Sequence, residues 1–128
     1  PEGLGHTVPQ LQSYFQPEHI LPKIHFSALF AEDVRQHLQQ QGRQQLVLLG
    51  TESHVCVLQT ALDAKAAGYQ VFLVEDAIGS RNPQHKELAM QRLQQAGCVI
   101  ICREMLVFEW LQQAGTPEFR QLLQGWIR

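Results

Sequence analysis

Charge is sparse in this chain of 128 residues, cysteine is scarce, and no apolar run is long. Ten Lys and Arg stand against twelve Asp and Glu, a net charge of -2, and the basic residues are scattered rather than striped. That pattern argues against a nucleic-acid partner, because holding a phosphate backbone takes a concentrated positive face. The apolar runs at 46–49 and 71–74 are four residues each, against about 20 needed to cross a bilayer. No membrane span is expected, and the chain reads as soluble. Three cysteines, Cys56, Cys98 and Cys102, are an odd number without framework spacing. They exclude a disulfide scaffold and fit a reducing, cytoplasmic setting.

What is present describes one globular domain over residues 1–128, with 45% hydrophobic and 17% charged residues. Residues 1–22 are rich in Gly, Pro, Gln and His without apolar periodicity, so a long connector is expected there. Ser27 is placed to cap a helix over 28–41, with Phe30, Val34 and Leu38 at four-residue spacing and Gly42 as its terminator. The run 46–49 then predicts a strand buried on both faces, and 55–66 a helix with Ser53 as its N-cap and Gly68 closing it. The pattern repeats as a strand at 71–74, a helix at 83–96, a strand at 99–101, and helices at 104–114 and 118–127, the last entered through Thr116-Pro117. Strands alternating with helices of this length imply a doubly wound, Rossmann-like α/β fold, a parallel sheet with helices on both faces. Three strands make a thin sheet for that class. Together with a start at Pro1 without Met or leader, this leads to the expectation that about 60 residues of a βαβ portion belong upstream, absent from this chain.

Ligand crevices in open α/β sheets lie outside the carboxyl ends of the strands. Cys56 follows the run 46–49 by seven residues and falls in the first turn of the next helix, where unpaired backbone N–H groups and the positive end of the macrodipole favour an anion such as a thiolate. The alternative is that Cys56 fills space as a small apolar residue. Cys98 and Cys102 share one face of a strand with no Cys-x-x-Cys and no histidine at ligand spacing, so core packing is expected of them. Lys23 follows Pro22, and the apolar Ile24 and Phe26 around it suggest a segment that enters the core. The competing reading is a lysine snorkelling at a loop edge. Among six histidines there is no His-x3-His pair; His54 either lines the pocket or serves as a cap or surface residue. No dinucleotide fingerprint or phosphate loop is present, so no cofactor is expected. Ser53 lacks the flanking glycines of a nucleophile elbow.

The stretch Gly50-Thr51-Glu52-Ser53-His54-Val55-Cys56-Val57, with Thr60-Ala61 and Gly68, resembles the nucleophile segment of the isochorismatase-like cysteine hydrolases, which include nicotinamidases. Asp76-Ala77, Ser80-Arg81 and residues 85–89 resemble the following strand end and helix. Lys23 with Phe26-Ser27-Ala28 resembles the lysine and helix start of that family, and the likeness covers nearly the whole chain. It implies Cys56 as nucleophile and Lys23 as the cation beside it. It also implies a non-proline cis peptide at Thr51–Glu52, with the N–H groups of Glu52 and Cys56 forming an oxyanion hole.

The family's third catalytic residue, an aspartate in an Asp-x-Gln strand end, has no match, since none of Asp33, Asp63 and Asp76 is followed two places on by Gln. His6 and His19 lack the nicotinamidase zinc pattern, so no metal is expected and nicotinamide is disfavoured as substrate. The implied activity is attack on a small amide-type carbonyl through a thioester. Self-association into a homo-oligomer is expected, with neither nucleic acid nor membrane as partner. The alternative is a non-catalytic scaffold of the same fold, in which Phe119, Leu122, Leu123, Trp126 and Ile127 dock on a neighbour instead of packing internally. Asp76, which also ends a strand, is expected to be a structural cap.

Overall fold

A computed structural model describes residues 5–126. The connector holds α1 (Pro9–Gln12) and a 3-10 turn at Pro17–His19 and no strand; the residues numbered 1–4 and 127–128, including Ile127, lie outside the description. The single helix expected over 28–41 is two elements, a 3-10 turn at Ala28–Phe30 and α2 (Glu32–Gln41). Ser27 does cap the first, its hydroxyl accepting from Leu29 N at 3.3 Å. The break falls at Ala31, whose extended backbone (φ -81, ψ 120) cannot continue a helix.

Three parallel strands follow in the order β1 (Gln45–Thr51), β2 (Gln70–Gly79) and β3 (Val99–Ile101). Between them run α3 (Leu58–Ala66) and α4 (Pro83–Gln95), and α5 (Arg103–Leu111) and α6 (Pro117–Gly125) follow β3. It is an α/β fold with helices flanking a parallel sheet. Its core is centred on β2, where Val71 and Leu73 meet Ala61 and Ala64 of α3 and Ala89 and Leu93 of α4, while Val74 is buried outside that cluster. Each buried Val or Leu side chain there contributes about 1.5–3 kcal/mol by leaving water. β1 departs from expectation. It forms the edge of the described sheet, so no residue in it is fully buried, and Leu49 is 63% exposed.

The end of β2 matters for the site. Leu48 pairs with Leu73, but Gly50 pairs with Ile78, so β2 takes five steps where β1 takes two and bulges by three residues. The bulge turns out Asp76, whose Oδ1 accepts from Arg103 N at 2.7 Å at the start of α5, the cap expected of it. Past the bulge the strands realign, Thr51 opposite Gly79. A Cβ at Gly79 would meet Thr51 Cγ2 at 3.3 Å, so glycine admits this close approach. Gly50, at φ +118, takes a backbone conformation that side-chain-bearing residues rarely adopt.

Candidate active site

β1 ends on a peptide bond between Thr51 and Glu52 that is cis. The chain then enters a wide helical turn, Ser53–Val57, that runs directly into α3. Glu52 O accepts from both Val55 N and Val57 N at 3.2 Å, fixing the turn that carries Cys56. Cys56 is half-buried with a free thiol.

Ser53 is not the cap expected of it. The turn has no side-chain cap, and the Ser53 hydroxyl, fully buried, bonds instead to the Ser80 hydroxyl beyond β2. The reason lies in the bulge, which delivers Ser80 next to the end of β1. His54 Nδ1 joins the same oxygen at 2.8 Å. Its ring lies 4.8 Å from that of His85. Glu52 turns its carboxylate the same way, Oε1 accepting from Arg81 N at 3.3 Å. Oε2 is shielded from water and without a hydrogen-bond partner among the described residues, with His54 Nδ1 at 3.5 Å and Arg81 Nε at 3.6 Å. His54 is thus neither a cap nor a lone surface residue. Sequence spacing gave no sign of this network, because only the bulge brings residues 27 positions apart together.

Lys23 is half-buried, but its segment does not enter the core. Ile24 is 94% and Phe26 59% exposed. The Lys23 ammonium donates to His25 O at 2.8 Å and Phe26 O at 3.0 Å, which folds the loop around its own lysine, and to no side chain among the described residues. What ties this loop to the cysteine helix is the next residue pair: Ala28 N donates to Thr60 Oγ1 at 2.9 Å, one helical turn beyond Cys56.

Of the other cysteines, Cys98 is buried, and burial pushes its thiol up while nearby Lys65 pulls it down. Cys102 is not core filler; its half-buried sulfur accepts from Met105 N at 3.5 Å as the cap of α5. No three His, Cys, Asp or Glu side chains gather as metal ligands among the described residues. No helix among them is long and apolar enough to cross a membrane.

A parallel α/β domain with a half-buried cysteine where a strand end meets a helix start belongs to the class of proteins that bind ligands at the carboxyl edge of an open sheet. Comparison with known proteins narrows the class: the isochorismatase domain matches residues 3–105. A bovine isochorismatase domain-containing protein 2 is 39% identical over 95% of this chain and 58% of its own length. The structure of the MAR1 ribonuclease from Caenorhabditis elegans superposes with a TM-score of 0.82 at 30% identity, covering 97% of this chain and 64% of that one. The Escherichia coli YcaC product, described as an octameric hydrolase of unknown specificity, gives a TM-score of 0.78 at 28% identity over 95% of this chain and 67% of its own. The chain belongs to the isochorismatase domain family. It spans about three-fifths of the length of two of the relatives it matches, 59% and 62%, and 43% of others.

Proposed function

We propose that this chain carries the nucleophile of a hydrolase acting on a small amide-type carbonyl compound. The Cys56 thiolate attacks the carbonyl carbon, the tetrahedral intermediate expels the amine, which leaves with a proton, and water cleaves the thioester to return the thiol and an acid. The N–H groups of Glu52 and Cys56 hold the oxyanion. Lys23 supplies the cation beside the thiolate. Two of its three N–H donors hold its own loop, which leaves one for the site, and the Ala28–Thr60 bond docks that loop on the helix of Cys56. The family resemblance gives proton transfer to an aspartate without a counterpart in this sequence, so the decisive test reads the thiol rather than turnover.

The observation that carries this reading is the position of Cys56, half-buried in the opening turn of the helix that follows β1. Iodoacetamide is expected to alkylate Cys56 at pH 6 well ahead of free cysteine, and Cys56→Ser to remove that reaction. Reactivity equal to free cysteine overturns the reading. An RNA substrate, which the name of the neighbouring MAR1 ribonuclease suggests for that protein, is disfavoured here by the net charge of -2. Self-association and a cytoplasmic setting complete the reading. The octamer of another neighbour and the exposed Phe108, Trp110 and Trp126 support the first, and the unpaired cysteines the second.

A further inference from the structure

The network at the end of β2 holds the nucleophile turn from outside it. A hydroxyl carries one proton and two lone pairs, so Ser80 Oγ can serve Ser53 and His54 at once. Those residues stand three and two positions before Cys56, and one of them is fully buried. The charged groups around them are Glu52 and Arg81, with His85 against the His54 ring. The chain reaches this arrangement only because β2 bulges and then closes on β1 through Gly79. The core cluster reaches this region through Val57 and Ile78, and the polar bonds at Ser80 lie beside it.

We infer that Ser80 is a positioning residue for the thiol of Cys56, acting through Ser53 and His54 to fix the turn in which the sulfur sits. The inference rests on the reading of Cys56 as the nucleophile and adds a residue from just past the end of β2 to its support. When the hydroxyl is removed, Ser53 and His54 lose their shared partner, and the turn relaxes away from the geometry in which helix amides face the sulfur.

The test measures iodoacetamide alkylation of each cysteine by peptide mass spectrometry, in the full chain, between pH 5 and 9. Ser80→Ala is expected to slow Cys56 about tenfold at pH 6, the size of one lost hydrogen bond, and to move its rate profile to higher pH. The half-buried Cys102 serves as internal control and keeps its rate. Ser80→Thr, which retains the hydroxyl, restores Cys56 to within about threefold. His54→Ala cuts one arm alone and gives a smaller slowing, an arm of the test that stands even if Ser80→Ala does not fold.

Wild-type Cys56 no faster than Cys102 at pH 6 removes the hydrolase reading and this inference with it. A fast wild type with Ser80→Ala and His54→Ala equally fast overturns the inference alone. The inference also falls if Cys98, sealed in the core, begins to react in the variants, because the effect is then general loosening.

Discussion

The turn that carries Cys56 is fastened by side chains from two strand ends, whereas the stretch 5–26 leaves all its large apolar residues but the half-buried Leu21 facing out. In the first region a buried serine, a histidine and a glutamate converge on residues 80 and 81. In the second, Val8, Leu11, Tyr14, Phe15, Ile20, Ile24 and Phe26 are all exposed, and Lys23 bonds to backbone of its own loop. Both regions contribute to the proposed chemistry, one the nucleophile and the other its cation. The difference teaches that polar side-chain bonds gather where the sulfur must be aimed, while the lysine loop is followed by one long-range hydrogen bond, Ala28 on Thr60, and the buried Leu29.

The largest effect that sharpens this contrast is expected at the centre of the sheet. Leu73 is fully buried on β2, between the two helices that follow the strands. Leu73→Ala should cost about 2–5 kcal/mol in urea unfolding, from lost transfer energy plus a cavity. A loss below about 1 kcal/mol would mean the core collapses around the gap, and would break the claim that β2 anchors the site.

A smaller effect is expected where the bulge meets α5. Asp76→Asn keeps the shape and removes the charge that faces the opening amides of that helix. The expected cost is about 0.5–1 kcal/mol, falling with added salt, with Cys56 alkylation unchanged. A drop in Cys56 reactivity would instead give Asp76 a part in the site.

Much of the second half could be read in the sequence. Alternating apolar runs and glycine stops marked β1, β3 and α4 to α6 to within a few residues, because each signal is local, whereas β2 runs to Gly79, five residues past the end of its apolar run at 74. Thr116 caps α6 as its position before Pro117 foretold. The misses share one physical cause, contact across the chain. Nothing near Ser53 indicates that its hydroxyl finds Ser80, since a three-residue bulge decides that. Nothing in Val47 or Leu49 says how far β1 is covered in the described sheet, since that depends on which neighbours pack and pair with it. Cys102, judged as filler by its strand face, caps a helix because β3 stops at Ile101. Ile24 and Phe26 read as core from hydrophobicity alone, though burial depends on what the rest of the chain can cover.

The smallest expected effect falls on that last residue pair. Ile24 has 94% of its surface in water, so Ile24→Ser removes almost no buried area and should change unfolding free energy by less than about 0.5 kcal/mol. The same substitution tests self-association, because an apolar side chain held this far out gains by being covered by another copy. Sedimentation velocity of the wild type and the variant separates the cases. Unchanged stability with weaker association places this face in an interface between copies. A loss above about 1.5 kcal/mol at concentrations where the chain is monomeric means the loop folds inward in solution, and the contrast between a fastened nucleophile turn and an open lysine loop is then wrong.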